Sequence, residues 1–407
     1  MNTIRDRFPF FSHNPHVVYL DSAATTLKAD VALQALNEYY TSYSVNIHRG
    51  MYPLAQKADL AYHASRKKIA HFLNAQTPDE IVFTKGATEG LNLLASSLGQ
   101  SLINPERGVL TSVIEHHANF VPWQQIAKKH NAPFQVALIN PLTMTVREIC
   151  DEFEKNITQD TAILALTHIS NVTGTVLPIQ EIAHRARQIN PHIIIVLDMC
   201  QSVQHMSIDV QQLDIDFAVF SGHKCFGPTG IGVLYGKKSR LDNLLPYQFG
   251  GDMIYEVGLS QSSFAEAPSK FEAGTPPIAQ AISLASALEF VQEIISSDCH
   301  NNLKDLRAYC VKQFEKLFPN DVVVHQSKHL DSCAIVCFTV NRCHPHDVAH
   351  MLGEQNICIR AGHHCAQPLH KHLNIPSSCR VSLSVYNTTD DIDNLMQGIT
   401  RVITQLS

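Results

Sequence analysis

A chain of 407 residues, 45% hydrophobic and 17% charged, is too long for one ordinary core and too apolar for disorder. Its formal net charge of −6, with no Lys/Arg run, offers no basic arm to nucleic acid, and apolar stretches such as Ile193–Leu197 are far too short to cross a membrane. The N-terminus carries charge but no apolar signal core, so the expected setting is cytoplasmic.

In chain order, strands are predicted at Ile81–Phe83, Val109–Ser112, Phe134–Ile139, Ala162–Thr167, Ile193–Leu197 and Phe217–Phe220. Between them, helical periodicity marks Thr88–Leu98, Val121–Lys129, Val146–Lys155 and Ile179–Ile189. Such alternation argues a largely parallel sheet covered on both faces, with ligands bound beyond the carboxyl ends of the strands. After Gly274-Thr275-Pro276-Pro277 the pattern changes. Helices are expected near Ala279–Ile295, Leu303–Leu317, Asp347–Glu354 and Thr389–Gln405, with short strands near Ala334–Val340 and Ile357–Arg360. That pattern fits a smaller α+β domain closing over the first.

Two strand ends carry chemistry. Ile193–Leu197 delivers Asp198, followed by Gln201; Phe217–Phe220 delivers Ser221-Gly222-His223-Lys224 and then a glycine-rich turn. A lysine at a strand end can be desolvated, which frees an amine nucleophile. An acid on the neighbouring strand can keep a pyridine nitrogen protonated, so the pair suits pyridoxal phosphate (PLP). Ser221, His223 and the amides opening the Thr88 helix could receive its phosphate. Taken singly, a strand-end acid such as Asp198 is more often a helix cap or turn residue, and a lysine such as Lys224 more often a solvated side chain.

Eleven cysteines are scattered without a disulfide rhythm or any C-x-x-C pair, as expected of reduced thiols. Cys365 stands apart in the loop Arg360-Ala-Gly-His-His-Cys-Ala-Gln-Pro, where Arg360, His363 and His364 could all favour the thiolate, the reactive form. From these residues alone a structural cysteine, a His/Cys metal site and a nucleophile all remain open.

With Asp198-Met199-Cys200-Gln201 and Ser221-Gly222-His223-Lys224, the chain resembles the class V aminotransferase group of fold-type I PLP enzymes, and within it the group II (SUF-type) cysteine desulfurases. The likeness continues through Tyr19-Leu20-Asp21-Ser22-Ala23-Ala24, His48-Arg49-Gly50, Glu115-His116-His117-Ala118-Asn119, Ser170-Asn171-Val172, Phe271-Glu272-Ala273-Gly274-Thr275-Pro276, the Cys365 loop and Arg380-Val381-Ser382. It implies an α/β transferase fold: a large domain, 18–275, with a mostly parallel seven-stranded sheet, and a smaller α+β domain, 276–407 joined by 1–17, carrying the cysteine loop. It also implies a homodimer.

The resemblance further implies that Lys224 holds PLP and shuttles the substrate's α-proton, that Asp198 pairs with the pyridine nitrogen and Gln201 with the phenolic oxygen, and that His116 stacks on the ring. Thr88, Ser221 and His223, with Thr275 from a second subunit, would bind the phosphate. Asn171 and Arg380, with Arg360 and His48, would hold the substrate L-cysteine. Cys365 would take its sulfur as a persulfide and pass it to an acceptor protein of the SUF system (SufE- or SufU-like) for iron–sulfur cluster assembly; no metal is expected. Two departures stand out: Met199-Cys200 where Gly-Ala is usual, and Ala87 where a threonine is common. Selenocysteine lyase is the neighbouring alternative, and a non-catalytic His/Cys metal-binding scaffold the distant one.

Overall fold

A computed structural model describes residues 4–406, the side chains of 298–301 excepted. Residues 1–3 and 407, assigned to the smaller domain from sequence, lie outside the described residues.

The predicted strand–helix alternation forms a seven-stranded sheet of β1 (Ile81–Thr84), β2 (Gly108–Ser112), β3 (Phe134–Ala137), β4 (Thr161–Thr167), β5 (Ile194–Asp198), β6 (Phe217–Ser221) and β7 (Gly232–Gly236). Their order is β1-β7-β6-β5-β4-β2-β3, and β7 alone runs antiparallel to its neighbours. Every residue of β4, β5 and β6 is buried, which is why these segments read as continuous apolar runs rather than alternating ones. The carboxyl ends of β2, β4, β5 and β6 share one edge of the sheet, and the chemistry-bearing segments follow them.

Helices cover the sheet: α1 (Asp30–Ser42), α2 (Pro53–Phe72), α3 (Ala87–Leu102), α4 (Val121–Lys129), α5 (Val146–Asn156) and α6 (Ile179–Ile189). Next comes α7 (Ile278–Ile295), which is long and apolar enough by composition to cross a membrane. Here it packs on α1 and α2, with Ser283 Oγ donating to the Ala32 carbonyl at 2.7 Å. An all-round apolar helix of this kind belongs to an interior.

Beyond α8 (Asp298–Leu317) lies a four-stranded antiparallel sheet of β8 (Val322–His325), β9 (Ile335–Val340), β10 (Arg360–Gly362) and β11 (Ser378–Ser382), in the order β8-β9-β11-β10. Together with α9 (Pro345–Gly353) and α10 (Thr389–Leu406) it closes a core of its own around Phe314, Phe338, Val381 and Ile399. The strand expected over Ile357–Arg360 divides in two: Ile357–Cys358 pairs in parallel with Val18–Tyr19, whereas Arg360 begins β10. The N-terminal segment therefore pairs with the C-terminal part of the chain, and Asp21 bridges to Ser382.

Candidate active site

A cavity of about 220 Å³ opens at the carboxyl edge of the large sheet. Eleven of the thirteen residues given site roles from sequence line it: Thr88, His116, Asn171, Asp198, Gln201, Ser221, His223, Lys224, Arg360, Cys365 and Arg380.

Its floor follows from local structure. β5 ends on Asp198, 4% exposed, whose Oδ1 accepts the Cys200 N–H at 2.9 Å. The adjacent β6 ends on Ser221, and a single 3-10 turn then carries Gly222, His223 and Lys224. Gly86 caps α3, and the Ala87 N–H donates to Ser221 Oγ at 2.9 Å. That helix start can sit against β6 only because Gly232 lacks a side chain: a Cβ there would lie 2.5 Å from Gly86 Cα. Backbone amides at the first turn of α3, with the Thr88 and Ser221 hydroxyls, could cradle an anion here. Behind it Lys28, which carried no role in the sequence reading, donates from Nζ to the carbonyls of Thr26 (2.7 Å) and His223 (3.0 Å). Burial pulls its pKa down to about 8.

His116 follows β2. Its Nδ1 accepts the Ala118 N–H at 3.1 Å, so a neutral ring carries its proton on Nε2. Burial, reinforced by the Lys224 charge, lowers its pKa to about 4, which makes it a neutral imidazole at physiological pH. Beneath it Glu115 is wholly buried among Ser112 Oγ (2.5 Å), Asn119 Nδ2 (2.7 Å) and the Thr167 N–H (3.0 Å). Burial raises that carboxyl to about 8. Its network fixes the turn that presents His116.

The cavity's other wall comes from the smaller sheet. Arg380, 2% exposed, sits on β11; Nη1 donates to the Asn171 carbonyl at 2.8 Å and Nη2 to Asp21 Oδ1 at 3.1 Å. Asp21 also takes Arg360 Nε at 3.2 Å, so one carboxylate spaces both guanidinium groups. Asn171 Nδ2 donates to the His364 carbonyl at 2.6 Å. Cys365 is the one exposed cysteine among the described residues. Burial pushes the Cys225 and Cys310 thiols up to about 12 and Cys337 to about 11, so these are inert core fillers.

Three expectations are refined. His364 is not a positive neighbour of the Cys365 thiol: burial, with Arg380 and His370 nearby, lowers its pKa to about 2 and holds it neutral. Cys200, one of the two departures, lies in the cavity lining, while Met199 is fully buried behind it. Thr275 and His48 are not in this cavity; His48 lines a second hollow of about 580 Å³, together with Pro276, the residue after Thr275. The supports missed from sequence, Asp21, Lys28, Glu115 and His117, sit inside or just beyond the same motifs. What singled them out is side-chain pairing across distant segments, and sequence spacing carries no trace of that.

The residues present fit PLP. Gln201 gives one amide N–H to the Ala23 carbonyl at 2.8 Å, yet its Oε1 is buried without a protein partner, as is Arg380 Nε. Buried polar atoms are seldom left unsatisfied, and both residues line the cavity.

A family model described as Aminotransferase class-V matches residues 18–395, so the chain belongs to the class V aminotransferase family. Over 383 residues it is 42% identical to a probable cysteine desulfurase of Halalkalibacterium halodurans, covering 94% of this chain and 92% of the relative. Among solved structures, the cysteine desulfurase CsdA of Escherichia coli, in an S-sulfonic acid form, superposes with a TM-score of 0.88 at 35% identity, covering 99% and 98% of the two chains. The apo cysteine desulfurase of Thermococcus onnurineus NA1 gives 0.91 at 33%, covering 100% and 99%.

Proposed function

We propose that the protein is a PLP-dependent cysteine desulfurase that moves sulfur from L-cysteine onto Cys365 and releases L-alanine. One observation carries this: a single cavity holds a strand-end lysine, its acid partner and the one exposed cysteine among the described residues. Similarity to cysteine desulfurases over nearly the whole chain supports it.

Lys224 would hold PLP, with Asp198 at the pyridine nitrogen and the α3 amides, Thr88, Ser221 and His223 at the phosphate. Bound there, PLP supplies an electron sink that acidifies the substrate's Cα proton. The Lys224 amine takes that proton. His116 covers the ring face as a neutral imidazole, with Nε2–H available to the substrate. Arg380 receives the substrate carboxylate at its unpaired Nε, and Asn171 offers its second amide N–H. Arg360 lines the entrance, held back by Asp21. The Cys365 thiolate attacks the substrate sulfur: an S–S bond forms as Cβ–Sγ breaks, and the electron pair stays on the carbon skeleton, which is protonated and leaves as alanine.

Thr275 and His48, which do not line their own cavity, act on the partner's in a homodimer. The persulfide passes to an acceptor protein of the SUF system, in a reducing cytoplasm that keeps Cys365 a free thiol. The test is a pair of substitutions. Cys365→Ser is expected to keep the yellow absorbance yet yield no persulfide by mass spectrometry, whereas Lys224→Ala loses the band. Full-rate sulfur release by Cys365→Ser would sink the proposed role.

A further inference from the structure

Cys365 lies on the loop between β10 and the short helix Gln367–His372, where two successive non-glycine residues, His364 and Cys365, have left-handed backbone, with φ of 52° and 57°. Side chains with a Cβ rarely adopt this conformation, and it persists only where surroundings impose it. Three hydrogen bonds from the large sheet's side impose it here. Asn171 Nδ2 donates to the His364 carbonyl at 2.6 Å, the His117 N–H donates to the Cys365 carbonyl at 2.7 Å, and the Gln367 N–H donates to His117 Nε2 at 3.1 Å. Only His117 grips the loop both at the thiol's own residue and beyond it.

His117 is also the neighbour of His116, in a single 3-10 turn whose start is pinned by the Ala118 N–H on His116 Nδ1. That turn thus places one imidazole in the cavity and the next on the cysteine loop. Burial and the nearby His363 lower the His117 pKa, which keeps Nε2 free to accept.

We propose that His117 is the positioning residue for Cys365, its imidazole holding the thiol's loop in the attacking arrangement through the Gln367 N–H. The proposal rests on Cys365 being the sulfur-accepting residue. Loss of the bond lets the loop relax away from its left-handed conformation. The thiol then meets the substrate sulfur less often, while Arg380 and Asn171 bind the substrate as before.

The test uses holoenzyme carrying His117→Gln or His117→Asn. Glutamine places an oxygen about where Nε2 lies; asparagine reaches only to the Nδ1 position, so a merely structural need for a polar side chain would not separate them. His117→Asn is expected to lower kcat about tenfold, on the order of one lost hydrogen bond, with KM for L-cysteine within about twofold. His117→Gln should recover to within about threefold of the parent. Independently of turnover, alkylation of Cys365 by iodoacetamide, read as the mass of its peptide, should accelerate several-fold in the asparagine variant alone. Equal kcat and equal alkylation in both variants and the parent would overturn the proposal, and so would equal impairment of both. If Cys365→Ser proved fully active, the catalytic premise would fail, while the alkylation comparison would still decide whether His117 holds the loop.

Discussion

At the scale of single residues, burial of titratable groups sets how the protein answers to pH. His116, His168, His223 and His325 have pKa values pulled from 6.5 to about 4, and His364 to about 2, burial being the largest cause for each. Between these values and the ordinary 6.5, the unfolded chain binds more protons than the native one, so stability rises with pH across that window. It is therefore lost as pH falls from about 6.5 towards 4. The melting temperature is expected to drop between pH 7 and pH 5, and His168→Gln should shrink the drop; a flat profile in the parent would contradict this. Which residues line the candidate site was largely legible because Asp198, Lys224 and Cys365 each follow a strand in a recognisable motif. Their supports were not. Glu272, inside a matching motif, proves to be the partner of Arg66, with Nη2 to Oε2 at 2.7 Å, and it also takes the Phe83 N–H at 2.7 Å. A motif match says that a residue is needed, and only packing says for what.

At the scale of elements, five of the six predicted strands were legible because burial on both faces leaves an unmistakable apolar pattern, whereas β3, at the sheet edge, is only partly buried. Strand β7 was hidden, since its sequence Gly232–Gly236 begins and ends in glycine and continues a glycine-rich turn. Helices α1 and α2 were missed because α2 buries Ser65 and Arg66 among its apolar contacts, which blurs the amphipathic stripe. Strand β11 reads as a polar-rich Ser-Cys-Arg-Val-Ser segment, yet every residue of it is buried, Arg380 facing the cavity. Gly232, at the start of β7, tests how these elements fit. Its substitution by alanine sets a Cβ 2.5 Å from Gly86 Cα and 2.8 Å from the Phe220 carbonyl oxygen, backbone atoms that cannot swing aside. Overpacking of this kind costs about 1–3 kcal/mol. The strain falls on the start of α3, so Gly232→Ala is expected to weaken PLP binding at least tenfold in an absorbance titration. Unchanged affinity would mean that the α3 amides do not form the cradle.

At the scale of the whole molecule, apolar side chains stand exposed around the hairpin of Ile254–Val257 and Ser262–Phe264. Tyr255 is 83% exposed and Phe249 67%, more apolar surface in one place than a lone subunit usually shows. Light scattering at micromolar concentration is expected to give twice the 45.3 kDa chain mass, and replacing Tyr255 and Phe249 with serine should shift it towards one chain. A parent protein that ran as a single chain would remove the homodimer from the proposal. The pairing of Val18–Tyr19 with Ile357–Cys358, and of Asp21 with Ser382, has a consequence in time. The ribosome makes the N-terminal partners first and the C-terminal ones last; at roughly 5–20 residues per second, the wait is on the order of tens of seconds. Until then Asp21 has neither guanidinium to separate, and Ala23, which helps to line the cavity, lacks the Ser382 hydroxyl that accepts its N–H at 2.8 Å. A nascent chain halted before Ser378 would already possess its lysine and its cysteine, yet it would still lack a finished site.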